Sequence, residues 1–476
     1  MHINRIYTFF AFLILFASQN IIAQHGYKLE LEVTNFEEKE VYLAYYYGDK
    51  PYIKDTVAIN KDGSFVFEGT EELDGGIYLL VLPPNNQFIQ IFISKGEQQF
   101  KVKADNKDLN GSIKVESSID NKLFYDYMAF LSGLISRKEK LVAEKESVDE
   151  AGKGEIDDKL NKMNEEVEQF HNNVITNYPK TLTAAFISNR VDPELPEFKG
   201  TDEENQIARW RYIRDRYFDQ FEMADPRLVH APFFFQRVEQ YINKLTVQHP
   251  DSLIKAIDVV LTKVQPAEET FKFYLVHFLN KFAKSKIVGM DAVYVHLVDT
   301  YYNKGLAPWT DEEQLAKIVK NANTLKPILI GKIAPDIKVE KRDKTPINLY
   351  DVKSDFTVLF FWAPDCGHCK KSMPKMLEVY EKFKSRGVEV FAVCSKVTDK
   401  VPECWKYIDE KEGMDRWINV VDPYLKSRYK QIYDIRSTPQ IFILDDKKEI
   451  ISKRIGAEQL EEVLEKMIEM KEKEKE

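Results

Sequence analysis

Phe361-Trp362-Ala363-Pro364-Asp365-Cys366-Gly367-His368-Cys369-Lys370-Lys371 is the stretch whose reading decides the fold. Its start overlaps the apolar run Thr357 to Ala363, which reads as a buried strand. Gly367 to Ser385 reads as a helix, stopped at Arg386-Gly387. Two thiols separated by two residues can close a small disulfide reversibly. At a strand-to-helix junction such a pair is suited to thiol–disulfide exchange. Two of the four cysteines of this 476-residue chain stand here.

The chemistry follows from position. The thiolate, not the thiol, attacks a disulfide. Cys366 falls just before the helix, where unpaired backbone N–H groups and the helix dipole favour negative charge. His368, between the thiols and next to Gly367, adds a cation when protonated. Cysteines in such settings titrate at ~3.5–7.5, against ~8.5 for a free thiol. Cys369 lies one helical turn deeper, placed to attack a mixed disulfide formed at Cys366.

This run resembles the active-site segment of the thioredoxin superfamily, with Trp362 four residues before the first cysteine. Pro374 matches the family's helix-kinking proline, and Gly456 its glycine after the last strand. Ser437-Thr438-Pro439-Gln440 is similar to the family's cis-proline segment. The resemblance implies that Pro439 is cis and packs against the disulfide, that the Thr438 backbone pairs with substrate, and that Trp362, Pro364 and Pro439 shape the substrate groove. Ile333-Ala334-Pro335-Asp336 and the long stretch from Cys394 to Val421 are similar to the entry motif and central insertion of exported cytochrome-maturation and redoxin proteins. Two departures stand out. Phe360 occupies the position of thioredoxin's buried aspartate, so Cys369 must lose its proton to water or another group. Gly-His is the dipeptide of protein disulfide isomerase, which implies a potential nearer ~−180 mV than ~−270 mV, a gap of about 4 kcal/mol.

Cys394 and Cys404 form a second pair. Their spacing permits a second disulfide across a surface loop, a relay to the main site, or two free buried thiols. A zinc site built from all four cysteines lacks knuckle spacing, and the remaining histidines show no ligand spacing, so no metal is expected. No cofactor is expected beyond a redox-active Cys366–Cys369 disulfide. A thiol peroxidase is disfavoured because no Thr-x-x-Cys occurs.

Outward from this segment, residues 329–470 alternate strand and helix, giving a central mixed sheet covered by helices, an α/β thioredoxin-like fold. Val401 to Glu412 and Pro423 to Tyr433 are read as helices, and 471–476 as a fraying charged tail. Residues 24–116 alternate apolar and polar with Gly, Pro and Asn turns, predicting a small all-β sandwich whose tyrosines fill a half-buried face. Residues 117–328 carry three- and four-residue apolar spacing, predicting a helical middle domain. It opens with an αα-hairpin across a polar loop, Asp149 to Glu155. Pro232-Phe233-Phe234-Phe235 reads as helix-start core.

Residues 1–23 read as a signal peptide: Arg5, an apolar Ile6 to Phe16 too short for a typical span of ~20 residues, and a cleavage site after Ala23. An uncleaved membrane anchor is the alternative. A net charge of −9 without a basic stripe gives no support for nucleic-acid binding. The sum is a multidomain, exported, periplasmic or envelope thiol–disulfide oxidoreductase. Its partners would be protein thiol or disulfide clients and a membrane or periplasmic redox partner. The competing reading is an envelope protein whose thioredoxin module docks partners rather than catalyses.

Overall fold

A computed structural model describes residues 26–191 and 193–473. The expected signal peptide lies outside these residues. Among them no helix is long and apolar enough to cross a membrane. The chain packs as two units, Met1–Thr246 with Val260–Phe273 and Val247–Val259 with Tyr274–Glu476, so the helical region is divided between them.

In the first unit, period-two alternation becomes two four-stranded sheets. Strands β1 (Tyr27–Thr34), β2 (Glu40–Tyr47), β3 (Lys50–Ala58), β4 (Ser64–Gly69), β5 (Gly76–Leu82), β6 (Gln87–Ile93), β7 (Gln99–Asp105) and β8 (Lys114–Glu116) pair in the orders β4-β1-β7-β8 and β3-β2-β5-β6. Leu29, Leu31, Phe65 and Phe67 from one sheet meet Leu43, Leu80, Ile89 and Ile91 from the other in one buried core. Alternate residues of each strand thus face inward, as a sandwich requires.

Helices Ile119–Lys145 and Glu150–Asn177 form the hairpin. The polar loop expected over Asp149 to Glu155 is instead the start of the second helix. Asp149 caps it, accepting from the Gly152 N–H at 3.0 Å. A side-chain cap contributes about 1 kcal/mol, which offsets the poor helix propensity of a glycine in the first turn. Phe130 stacks on Phe170 with centroids 4.7 Å apart, locking the two helices together. Phe233 and Phe234 are buried at the start of helix Pro232–Gln240.

In the second unit a seven-stranded sheet runs in the order β10-β9-β13-β12-β11-β14-β15. Its strands are β9 (Lys338–Glu340), β10 (Pro346–Asn348), β11 (Phe356–Trp362), β12 (Val388–Cys394), β13 (Ile418–Val421), β14 (Gln440–Leu444) and β15 (Ile450–Lys453). β11, β12 and β13 are parallel, whereas β14 runs antiparallel to β11. Every residue of β11 is buried, the signature of a central strand covered on both faces. Val358, Phe360 and Trp362 meet Met373, Met376 and Tyr380 of helix Gly367–Phe383 and Leu460 and Leu464 of helix Ala457–Lys473. Leu359 and Phe361 enter the opposite core with Phe391, Tyr429 and Phe442.

One expectation fails here for a local reason. Pro423 to Tyr433 is a series of turns ending in the short helix Tyr429–Ile432. The Asp422 carboxylate accepts from the N–H groups of Lys426 and Ser427 at 2.9 and 2.8 Å, and Leu425 and Arg428 adopt φ values of 52° and 56°, which interrupt an α-helix. At the C-terminus, Lys471 to Lys473 belong to the last helix, and the rest of the expected tail lies outside the described residues. Lys471 pairs with Asp355 at 2.8 Å.

Candidate active site

β11 ends at Trp362, and the chain turns through Ala363-Pro364-Asp365 so that Cys366 becomes the N-cap of helix Gly367–Phe383. The Cys366 N–H donates to the Ala363 carbonyl at 3.3 Å, closing the turn. The Cys366 Sγ accepts from the Cys369 N–H at 3.1 Å, filling the position that an Asp or Ser hydroxyl usually takes. It also donates to the Thr438 carbonyl at 3.2 Å. The Thr438–Pro439 peptide is cis, which presents that carbonyl to the sulfur. Residues 72 positions apart in sequence thus meet at one thiol.

The two thiols are free and unlike. Cys366 is partly exposed, whereas Cys369 is 1% exposed. Burial works against ionising Cys366. Hydrogen bonds with the side chains of Cys369 and Thr438, and with the backbone N–H groups of Cys369 and His368, outweigh it and hold the thiol below its ordinary value. Burial, joined by the hydrogen bond with Cys366, pushes the Cys369 thiol well above its ordinary value. The surroundings therefore favour the thiolate at Cys366 and the thiol at Cys369.

Gly367 and His368 are exposed on the first turn, and the His368 backbone N–H is among the groups that favour the Cys366 thiolate. Trp362 and Pro364 are both buried, so neither lines a surface groove as the resemblance implied. Trp362 instead lies beneath the site, its ring 5.3 Å from that of Tyr407. Thr438 and Pro439 are half-buried beside Cys366. Pro374 stands inside the helix, and the 3-10 turn that follows it, Lys384–Arg386, ends where Gly387 adopts φ 81°. A Cβ there would meet the Asp355 carboxylate. Phe360 is fully buried against Trp417, so no carboxylate arises from its position.

Cys394 and Cys404 are joined by a disulfide, with Cα atoms 6.3 Å apart. The bond is buried rather than on a surface loop, since the two residues are 1% and 0% exposed. Cys394 pairs in register with Trp362, and both cysteines belong to the core that holds Cys369. As partners of each other they are not free zinc ligands. This bond brings helix Val401–Glu410 over the redox loop and introduces groups that the motif did not single out. Lys396 binds Asp365 at 2.6 Å and Glu403 at 3.2 Å. Tyr407 covers Trp362. The three-residue step from Cys404 to Tyr407 places both on one helix face, a signal readable only once the pairing is known.

Comparison with known proteins accords with this geometry. Residues 330–453 match the AhpC/TSA family, residues 27–124 a domain of unknown function (DUF4369) and residues 150–326 another (DUF5106). The position three residues before Cys366 is Ala363, not threonine. The thiol–disulfide oxidoreductase ResA of Bacillus cereus is 32% identical over 144 residues, covering 29% of this chain and 78% of that protein. ResA of Bacillus subtilis is 41% identical over 63 residues, 13% of this chain and 35% of that protein. Among solved structures, a domain of a possible thiol-disulfide isomerase from Cytophaga hutchinsonii is 36% identical with a TM-score of 0.28, covering 30% of this chain and 97% of that one. A thioredoxin-like protein from Bacteroides caccae is 18% identical with a TM-score of 0.44, covering 58% of this chain and 97% of that one. With 32% identity over 78% of the Bacillus cereus protein's length, the chain belongs, through its C-terminal part, to the ResA thiol–disulfide oxidoreductases of the thioredoxin superfamily.

Proposed function

We propose that the chain is an exported oxidoreductase that exchanges its Cys366–Cys369 dithiol with disulfides of protein clients. The asymmetry of the two thiols carries this reading. Cys366 is reachable and favours the thiolate, while Cys369 is buried and favours the thiol. The Cys366 thiolate attacks a client sulfur, and the first client thiolate leaves and takes a proton. Cys369 then loses its proton and attacks the Cys366 sulfur of the mixed disulfide, expelling the second client thiolate. Two electrons pass to the client, and the Cys366–Cys369 disulfide remains for a membrane or periplasmic dithiol to reduce. The Thr438 backbone, beside Cys366, is suited to pair with an extended client segment. No cofactor or metal enters these steps.

The pH dependence of alkylation tests the assignment. Cys366 should react first, with a midpoint below that of a free thiol, because its thiolate is already favoured. Cys369 should stay unmodified until higher pH. Equal reactivity of the two thiols, shown by peptide mapping, would contradict this division of roles.

Export is read from Arg5, the apolar run Ile6 to Phe16 and the small residue Ala23. The mature chain is expected to begin at Gln24, which N-terminal sequencing of the envelope fraction would establish. Recovery of Met1 in that fraction would instead mark a retained anchor.

A further inference from the structure

The segment after β12 crosses the redox loop at three points. The Ser395 N–H donates to the Trp362 carbonyl at 2.8 Å. The Lys396 ammonium binds the Asp365 carboxylate, which immediately precedes Cys366. Tyr407 packs on Trp362 from above. The segment is closed on itself by the Cys394–Cys404 disulfide and by the Lys396–Glu403 pair. Lys396 is drawn inward, with its side chain only 14% exposed, although a lysine with no partner would extend into water. A charge held in this way, with its long side chain already ordered, acts on its neighbours more than a freely moving surface lysine does.

We propose that Lys396 is a positioning residue of the redox site, holding and neutralising Asp365 so that the adjacent Cys366 sulfur is presented as a thiolate. This rests on Cys366 being the attacking thiol. Without Lys396, an uncompensated carboxylate would stand next to the developing thiolate, and like charges at short range disfavour each other. The sulfur itself meets Cys369 and His368 on its own helix and Thr438 on the cis-proline loop, Tyr407 faces Cys369, and Lys400 and Glu403 act on the Asp365–Lys396 pair. Lys400 also bears on Asp365, though less than Lys396 does. It therefore leaves part of the compensation in place when Lys396 is removed.

The test is the pH profile of iodoacetamide alkylation in the reduced full-length protein, read at Cys366 by peptide mapping. Lys396→Ala should raise the midpoint by about half a pH unit, so that alkylation below the midpoint slows about threefold. Lys396→Arg should restore it. Asp365→Asn should move the midpoint the other way, and Lys396→Ala with Asp365→Asn should return it toward the starting value. Opposite signs separate an electrostatic role from a loosened loop, which would move both single variants alike. An unchanged midpoint in Lys396→Ala, or an upward shift in Asp365→Asn, overturns the proposal. Preferential labelling of Cys369 in the unmutated protein would instead remove Cys366 as the attacking thiol, and the role of Lys396 with it.

Discussion

Cys369→Ala is expected to turn the protein into a covalent trap. Attack by Cys366 remains possible, because its exposure and its bonds to Thr438 and the helix N-terminus do not need the second sulfur. Resolution is lost. A well-oriented internal nucleophile acts at an effective concentration of up to about 10⁵ M or more, and external thiol at ordinary concentrations does not match it. Mixed disulfides at Cys366 should therefore accumulate and survive non-reducing electrophoresis, and mass spectrometry of the adducts would identify the clients. Cys366→Ser should trap nothing and lower dithiol-dependent disulfide reduction by about a thousandfold or more, since a serine hydroxyl is not ionised near neutral pH. Full reduction activity in Cys366→Ser, or the absence of any adduct in Cys369→Ala, would defeat the mechanism and favour a docking role.

Asp291→Ala is expected to destabilise the second unit by about 3–5 kcal/mol. Lys453, on the edge strand β15, is 2% exposed and donates to both the Asp291 carboxylate and the Ile328 carbonyl. Burial pushes the Lys453 ammonium toward the neutral form, and Asp291, more than Asp434, opposes this. Removing the carboxylate leaves a buried cation without its partner, the costly way to break such a pair. Lys453→Met added to Asp291→Ala should recover most of the loss, because an apolar side chain of similar length fills the same space. Denaturant titration of the unmutated protein and the two variants measures this. A single-variant loss below about 1 kcal/mol would show that water reaches the ammonium. The pair also bears on how the redox segment is excised. Asp291 and Ile328 precede residue 329, so a fragment cut there deprives Lys453 of both partners.

Much of the fold was legible because its signals are local. An apolar strand with no polar alternation marks the centre of a sheet, whatever surrounds it. Strict alternation over Tyr27 to Val33 marks a half-covered sheet, and a cysteine at a strand-to-helix junction marks a cap. Other readings failed where a short-range bond outweighed propensity. At Asp149 a cap started a helix amid glycines, and at Asp422 a carboxylate drew two N–H groups into a turn. Pairing 10 residues apart permitted a disulfide from Cys394 to Cys404, but only packing decided that it is buried. The same holds for Trp362. Its position before the cysteines marked it as part of the site, but whether the ring faces a client or the core depends on helix Val401–Glu410 lying over it.

By itself, then, the sequence determined the reaction class, because the pair Cys366 and Cys369 and its capping position are set by residues in covalent succession. The tertiary structure decided how the two sulfurs differ. Cys366 meets the Thr438 carbonyl only because β14 lies antiparallel to β11, and Asp365 before it meets Lys396 only because β12 lies parallel to β11 on the other side. The difference in reactivity is electrostatic and depends on desolvation, and both are properties of the space around a sulfur rather than of its neighbours in the chain.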